Sequence, residues 1–168
     1  MPAMFDFDVL QISEAPSDDG GEVFGFSMVR LDARVTEIPR GPALTFAPET
    51  SIATAIESMQ RRRCGAAIVV RNHRPLGVVC DRDLLAQACG DIDDLRAPIS
   101  SVMVACTDPL REDETVGSAL RKMCGHRQWH LPIVCARGLF VGALDAADLM
   151  LWLRDRLTIL SVEAAFQT

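Results

Sequence analysis

Two aspartates with matching surroundings are the residues of this chain best suited to bind a small molecule. Asp83 lies in LGVVCDRDLL and Asp148 in VGALDAADLM, each a short apolar run with a glycine that leads into a helical pattern. Where a strand ends at the start of a helix, unpaired N–H groups and the helix dipole favour an anion. A carboxylate there could accept hydrogen bonds from both hydroxyls of a ribose, and Arg82 could pair with a phosphate. Capping of the following helix, with Arg82 as a solvated surface residue, is the plainer alternative.

The two motifs belong to an internal repeat. A shift of 64 residues lays segment 52–59 on segment 116–123, and both carry apolar residues at i, i+3, i+4 and i+7, the buried stripe of an amphipathic helix. The runs AAIVV (66–70) and HLPIV (130–134) also coincide, and they have the length and composition of strands covered on both faces. After one inserted residue the shift becomes 65 and aligns Asp83 with Asp148.

The repeat predicts an α/β fold, a tandem of two β-α-β-β-α units that pack with pseudo-two-fold symmetry. One unit of about 60 residues buries too little surface to be comfortably stable alone. We expect the first repeat at residues 35–97 and the second at residues 98–155. Residues 1–34 form an N-terminal extension whose alternating apolar residues suggest a β-hairpin, and residues 156–168 form a helix end or tail.

The repeated order of these elements resembles a pair of cystathionine-β-synthase (CBS) domains, also called a Bateman module. The first copy is similar to the small free-standing bacterial type, and the resemblance runs from Val35 to about Leu153. It implies a compact module with two clefts between the copies that bind adenosine-containing ligands such as AMP, ADP, ATP or S-adenosylmethionine. It also implies that Asp83 and Asp148 hold the ribose hydroxyls.

Both motifs depart from the family pattern three residues after the glycine. The family often has a Ser or Thr there that touches phosphate or ribose, whereas this chain has Cys80 in the first motif and Asp145 in the second. A thiol donates hydrogen bonds poorly, and a second carboxylate beside Asp148 repels a phosphate. We therefore expect weakened phosphate binding in both clefts, and better nucleotide binding in the first cleft than in the second.

The resemblance also implies which segments form the walls around an adenine. The first cleft would use residues 43–45 and 64–67, and the second would use residues 106–108 and 130–132. The residues singled out in these segments are Thr45, Ala66, Ala67, Thr107, His130 and Pro132. Packing in an ordinary hydrophobic core is the plainer alternative for all of them.

The composition and the missing motifs disfavour several other classes of protein. With 17 Lys and Arg against 23 Asp and Glu, the formal charge is −6, which disfavours a nucleic-acid-binding protein. No apolar run is long enough to span a membrane and no signal-peptide pattern opens the chain, so we expect a cytoplasmic protein that contacts neither membrane nor nucleic acid. The G-x-G-x-x-G, Walker and G-x-S-x-G motifs are absent, so we expect no enzyme activity and no required cofactor.

The sequence thus predicts a regulatory module that binds an adenosyl ligand, forms a homodimer and acts on an unidentified effector protein. The homodimer is expected because apolar residues 149–153 exceed what one helix face can bury, although packing on the chain's own core is an equal alternative. Two other functions stay open: a ligand-blind dimerisation scaffold, and a thiol or metal sensor. A sensor could use a Cys80 thiol whose pKa is lowered at the helix start. The candidate metal ligands are Cys124, His126, His130 and Cys135, but their spacing is not that of a closed site, and no structural metal is expected.

Overall fold

A computed structural model of the chain describes residues 31–88 and 95–166. The β-hairpin expected in the N-terminal extension lies outside these residues. Within them the chain forms two β-sheets and four α-helices, which confirms the mixed α/β tandem fold.

The first unit contains a four-stranded sheet and two helices. Its strands are β1 (Thr45–Phe46), β2 (Ala66–Arg71), β3 (Arg74–Cys80) and β4 (Val104–Ala105), and its helices are α1 (Ile52–Arg62) and α2 (Asp81–Ala88). The spatial order is β1-β2-β3-β4, with β1 parallel to β2 and the other pairs antiparallel. The apolar run AAIVV forms most of β2, as predicted.

The second unit repeats this plan with a three-stranded sheet. Its strands are β5 (Leu110–Arg111), β6 (His130–Val134) and β7 (Phe140–Asp145), and its helices are α3 (Val116–His126) and α4 (Ala146–Phe166). Strand β5 is parallel to β6, and β6 is antiparallel to β7. The register shifts between Val69 and Val70 in one sheet and between Ile133 and Val134 in the other, at positions that are equivalent in the repeat.

The equivalent helices α1 and α3 begin and end in the same way. The side chain of Ser51 accepts a hydrogen bond from the backbone N–H of Thr54, and Thr115 does the same for Ser118. These contacts satisfy donors that the first helical turn leaves free. Each helix ends on an arginine in the left-handed conformation, Arg63 with φ 51° and Arg127 with φ 52°. The helices predicted from the apolar stripes of segments 52–59 and 116–123 are therefore confirmed.

The two sequence repeats exchange their opening segments. The 3-10 turn Val35–Glu37 packs in the core of the second unit, where the backbone N–H of Val35 donates to the carbonyl of Glu114 at 3.0 Å. The 3-10 turn Ile99–Ser101 packs in the core of the first unit, where the N–H of Ile99 donates to the carbonyl of Thr50 at 2.7 Å. The two structural units thus interlock, because each needs an apolar residue that the other sequence repeat supplies.

Helix α4 buries part of its apolar run against its own unit. Leu149 and Trp152 are buried in the second core and Leu153 packs against it, whereas Met150 and Leu151 remain about half exposed. The run therefore divides between the chain's own core and the surface. In the part of the chain that the structure describes, no helix combines the length and the apolar character needed to cross a bilayer.

Candidate functional site

A cleft of about 270 Å³ lies where the two units meet, and we call it the junction cleft. Its size is close to the lower end of the range for small-molecule sites. One wall comes from the first unit, from residues 41–44, Cys64 and residues 66–68. The facing wall comes from the second unit, from His130, residues 143–145, Ala147 and Asp148. The cleft is therefore mostly apolar, with a few polar groups at the start of α4.

The structure pairs the predicted walls and aspartates differently from the sequence. Ala66 and Ala67 were assigned to the cleft of Asp83, but they line the junction cleft with Asp148 and Asp145. His130 lines the same cleft. The assignment of Ala66 and Ala67 to the cleft of Asp83 was therefore wrong, because the junction cleft takes this wall from the first repeat and its aspartates from the second, whereas His130 lies in the cleft of Asp148 as expected.

Three of the predicted wall residues lie outside the junction cleft. Thr45 is exposed on β1 and Thr107 is exposed before β5, while Pro132 is buried within β6. Ala143 and Ala147 line the cleft but carried no distinctive sequence signal. Small residues beside the motif aspartates leave room for a ligand, and this becomes visible only when the wall is seen in three dimensions.

Asp145 makes the first polar contacts at the start of α4. Its Oδ2 atom lies 2.9 Å from Nε2 of His130, which is its register partner across β6 and β7. Its Oδ1 atom accepts a hydrogen bond of 2.7 Å from the backbone N–H of Ala147. The N–H of Ala146 donates to the carbonyl of Trp129 at 2.8 Å. The N–H groups of Ala146 and Ala147 are therefore already bonded within the protein.

Asp148 has a different environment, although it lies only three residues further on. It is partly buried in the junction cleft, and no described residue donates a hydrogen bond to its carboxylate. Burial raises the pKa of Asp148, the negative charge of Asp145 raises it further, and Arg40 opposes both effects. The Asp148 carboxylate is thus an acceptor within the cleft to which none of residues 31–88 and 95–166 donates.

The equivalent aspartate of the first repeat is occupied. Oδ2 of Asp83 accepts a hydrogen bond of 3.0 Å from the backbone N–H of Cys80 and one of 2.9 Å from its Sγ atom. The N–H of Asp81 donates to the carbonyl of Gly65 at 2.9 Å, and Arg82 is exposed with its N–H bonded to Asp81. Capping is therefore the observed role of Asp83, and the N–H groups of Cys80, Asp81 and Arg82 are already bonded within the protein.

The Cys80 thiol is held in its protonated form. Burial raises its pKa, and the hydrogen bond to Asp83 raises it further. The expectation that the helix start lowers this pKa, on which a Cys80 thiol sensor depended, was wrong. Burial and the neighbouring carboxylate together disfavour a thiolate more than the helix dipole favours it.

An ion network in the second unit was missed by the sequence analysis. Nζ of Lys122, the only lysine of the chain, lies 2.8 Å from Oδ1 of Asp108, 2.9 Å from Oε1 of Glu114 and 3.1 Å from the carbonyl of Pro109. Asp108 occupies the repeat position of Leu44, which is an apolar wall of the junction cleft. The equivalent position in the second repeat is therefore charged, and its side chain forms an ion pair with Lys122.

The two motif glycines also differ. A Cβ atom on Gly77 would lie 2.7 Å from the carbonyl oxygen of Val104 and 2.8 Å from Sδ of Met103, so β4 can approach only a glycine. A Cβ atom on Gly142 would meet nothing within 4 Å. Close backbone approach therefore occurs at Gly77 but not at Gly142, because no fourth strand is assigned beside β7 in the described residues.

The candidate metal ligands are not brought together. Among residues 31–88 and 95–166, no group of three or more His, Cys, Asp and Glu residues is placed to hold a metal ion. Cys124 and His126 are exposed at the end of α3, whereas His130 pairs with Asp145 in the junction cleft.

A second concavity, of about 530 Å³, lies between α1 and α2, and we call it the helix groove. Its apolar lining includes Ile56, Met59, Leu84 and Leu85, and the side chain of Leu85 is 63% exposed. The helix groove differs from the junction cleft because it is an exposed apolar surface formed mainly by two helices.

Comparisons with known proteins agree with this architecture. A model of the CBS domain matches residues 35–89. No curated protein sequence matches the chain. A CBS domain protein from Pyrobaculum aerophilum complexed with AMP is 24% identical, with 73% of this chain and 98% of that chain covered and a TM-score of 0.62.

Two further solved structures have the same fold. CBSX2 in complex with AMP is 24% identical over 76% of this chain and 98% of that chain, with a TM-score of 0.63. The CBS domain pair of protein MJ0100, in complex with 5′-methylthioadenosine and S-adenosyl-L-methionine, is 18% identical over 74% of this chain and 98% of that chain, with a TM-score of 0.65. At these identities the likeness is one of fold.

Proposed function

We propose that the protein is a non-enzymatic regulatory module, because a model of the CBS domain matches residues 35–89 and the described chain has the fold of a CBS-domain pair. It binds an adenosine-containing ligand in the junction cleft. Two structural neighbours carry AMP, and a third carries 5′-methylthioadenosine and S-adenosyl-L-methionine, which supports an adenosyl ligand.

The open carboxylate of Asp148 is the observation that carries this proposal. Two ribose hydroxyls are donors, and an ionised carboxylate that receives no hydrogen bond from the described residues can accept both. The apolar wall of Leu44, Ala66 and Ala67 faces it across the cleft and can cover the base. Acceptor and wall lie on opposite units, so one nucleoside would contact both.

Binding across the two units supplies a regulatory mechanism. A ligand shifts a conformational equilibrium only by as much as it prefers one state over the other. Because Asp148 and the apolar wall belong to different units, the ligand prefers the arrangement in which the units are close enough for both contacts. The change in packing would then be transmitted to an effector protein.

The preferred cleft is the opposite of the one the sequence favoured. The cleft of Asp83 was expected to bind better because Arg82 adds positive charge. Arg82 is exposed, however, and Asp83 already accepts two hydrogen bonds from Cys80. A ribose at Asp83 would have to displace these bonds, whereas a ribose at Asp148 would displace no hydrogen bond from the residues that the structure describes.

Calorimetry on the purified full-length chain tests the proposal with adenosine, AMP, 5′-methylthioadenosine and S-adenosylmethionine as probes. Asp148→Asn is expected to weaken binding at least tenfold, since it removes the charge that strengthens each hydrogen bond. Asp83→Asn is the matched control and should leave affinity within about twofold. Equal weakening by both variants, or by Asp83→Asn alone, would reject the assignment to the junction cleft.

A ligand-blind scaffold is the second candidate function. It is favoured by Asp83, whose carboxylate caps α2 by accepting two hydrogen bonds from Cys80. Thermal unfolding separates the two functions. A ligand at about 100 times its dissociation constant stabilises the folded state by about 2.7 kcal/mol, whereas a scaffold shows no shift with any of the four probes.

We further propose that two chains associate through the helix groove. The exposed Leu85 and the apolar lining of Ile56, Met59 and Leu84 form a surface that a second copy could cover. We place the module in the reducing cytoplasm. The five cysteines within the described residues are free thiols, in keeping with such a compartment.

A further inference from the structure

We propose that the junction cleft selects adenosyl ligands that carry no phosphate, and that Asp145 is the residue that sets this specificity. The ligand class would be a nucleoside with a neutral or positively charged 5′ group, such as a thioether or a sulfonium with an ammonium group. This inference rests on the proposed function and narrows it.

The charge of the cleft lining is the first argument. Among the described residues that line the cleft, none is a lysine or an arginine, and two are aspartates. The one lining side chain that can become cationic is His130, and its Nε2 atom is already 2.9 Å from Asp145. A phosphate monoester carries a charge of about −1.5 to −2 near neutral pH. It would enter between like charges, and no lysine or arginine lines the cleft to balance them.

The backbone donors at the start of α4 are the second argument. Helix starts often bind phosphate through free N–H groups. Here the N–H of Ala146 is taken by Trp129 and the N–H of Ala147 is taken by Asp145. A phosphate would have to displace a charged cap that is held by a hydrogen bond of 2.7 Å.

Arg40 is the cation whose charge acts on this end of the cleft. It acts on Asp148 from beside the cleft, as its effect on the pKa of that carboxyl shows, but it is not among the lining residues. Its Nη1 atom is buried and has no hydrogen-bond partner among the described residues. The net effect of Arg40 is to moderate the charge of Asp148 at the ribose end.

The same two carboxylates favour a positively charged substituent. Asp145 and Asp148 lie three residues apart at one helix start, so a group next to the ribose would feel both. A thioether places only weakly polar atoms there, and a sulfonium or ammonium places a charge of opposite sign. Neither needs the N–H groups that the cap has already taken.

Calorimetry on the full-length protein at pH 7.5 and low salt compares adenosine with AMP, and 5′-methylthioadenosine with S-adenosylmethionine. We expect AMP to bind at least tenfold more weakly than adenosine, and the two sulfur compounds to bind at least as well as adenosine. Asp145→Ser removes the charge and keeps a capping oxygen, so it should narrow the gap between adenosine and AMP by about tenfold or more. Cys80→Ser is the matched control at the equivalent position, and it should leave that ratio unchanged.

Salt dependence gives a second readout that needs no variant. Repulsion between AMP and the carboxylates is screened by salt, so the ratio of the two affinities should fall as ionic strength rises from about 0.01 M to 1 M. AMP binding as tight as adenosine binding would overturn phosphate exclusion and leave adenosyl binding intact. An Asp145→Ser protein that folds but keeps the wild-type ratio would overturn the role of Asp145. Failure of all four probes to bind would overturn both this inference and the proposed function.

Discussion

Cys80 and Asp83 form a closed local pair, in which Asp83 accepts hydrogen bonds from both the backbone N–H and the thiol of the residue that precedes α2. The equivalent positions in the second unit hold Asp145 and Asp148, and there the residue that caps the helix is Asp145. Asp145 accepts a hydrogen bond from the N–H of Ala147, and no described residue donates one to the carboxylate of Asp148. The negative charges of Asp145 and Asp148 repel each other. This repulsion disfavours contact between the two carboxylates and favours the position of the Asp148 carboxylate in the cleft.

The first prediction concerns thiol reactivity. Burial and then Asp83 raise the pKa of Cys80, and burial and then Asp108 raise the pKa of Cys106. Hydrogen bonds from the backbone N–H groups of Arg137 and Leu139 lower the pKa of Cys135. Since the thiolate is the nucleophile, we expect iodoacetamide to modify Cys135 before Cys80 and Cys106 near pH 8.

Site-resolved mass spectrometry of the folded protein measures these rates, with labelling under denaturing conditions as the control for intrinsic reactivity. Asp83→Asn should raise the rate at Cys80 and leave the rate at Cys135 unchanged. A wild-type Cys80 that reacts faster than Cys135 would contradict the protonated pair.

The second prediction concerns the pH dependence of stability at Asp148. The folded-state pKa of this carboxyl is raised, so its ionisation is disfavoured by folding. The associated stability is fully present below the ordinary pKa of aspartate, about 3.9, and is lost as the pH rises through the raised value. We therefore expect Asp148→Asn to be neutral near pH 3 and to gain relative stability toward pH 7.

Urea unfolding of the wild type and the variant across this pH range measures the difference. Asp83→Ala provides the contrast, because it removes an observed cap and should lower the free energy of unfolding by about 0.5 to 2 kcal/mol. Asp148→Asn that is less stable than the wild type at pH 7 would show that the carboxylate has a structural partner.

Local signals were enough to predict most of the secondary structure. The helical apolar stripe and the hydroxyl residues Ser51 and Thr115 lie next to each other in sequence, and both features act within a few residues. Strands β2 and β6 were predicted because apolar runs of this length and composition favour strands covered on both faces. The position of Val35 in the core of the second unit was not predicted, because it depends on contacts between distant segments.

The sequence located the motif of the site more readily than the set of residues that line the cleft around it. The motif containing Asp148 was found in the sequence, but its partners Ala66 and Ala67 belong to the other repeat. The simplest expectation is that an aspartate and its apolar wall come from the same repeat. The packing of the two units shows instead that Asp148 shares a cleft with a wall from the first repeat. The different roles of Asp83 and Asp148 also depend on side-chain geometry, because each role is decided by the hydrogen bonds of the residue three positions earlier.

The third prediction compares Gly77 with Gly142. A Cβ atom on Gly77 would collide with the backbone carbonyl of Val104, so Gly77→Ala should force β3 and β4 apart and cost about 1 to 3 kcal/mol. Gly142→Ala meets open space and should change the free energy of unfolding by less than about 0.5 kcal/mol. Chemical denaturation of both variants checks this, and equal losses would contradict the close approach of β4.

The fourth prediction concerns oligomeric state. Leu85→Glu places a charge at an exposed position of the helix groove, so it should weaken association between chains without lowering the stability of the fold. Ala86→Glu adds the same charge at the next position of α2, which is also exposed but does not line the groove, and serves as the control. Light scattering over a concentration series measures the mass. A wild-type protein that stays monomeric at high micromolar concentration would reject the dimer.

The last prediction concerns Lys122, whose ammonium group holds together residues from the β4–β5 connection and the start of α3. Although partial burial acts in the other direction, hydrogen bonds to Asp108 and Glu114 raise the pKa of Lys122. The pKa of Glu114 is lowered, because hydrogen bonds from Ser118, the N–H of Arg111 and Lys122 outweigh the opposing effect of its burial. Lys122→Met keeps the apolar stem but removes three polar contacts, so it should cost about 1 to 3 kcal/mol.

The pH profile distinguishes this network from simple packing. Stability linked to a lowered carboxyl pKa is present above the ordinary value for glutamate, about 4.3, and is lost as the pH falls through the folded-state value. The penalty of Lys122→Met should therefore be largest near pH 7 and should shrink in acid. Arg121→Ala, at an exposed position of the same helix, is the control and should change stability by less than about 0.5 kcal/mol. A Lys122→Met penalty that stays constant from pH 7 to pH 3 would mean that the stem, rather than the charge, stabilises the second unit.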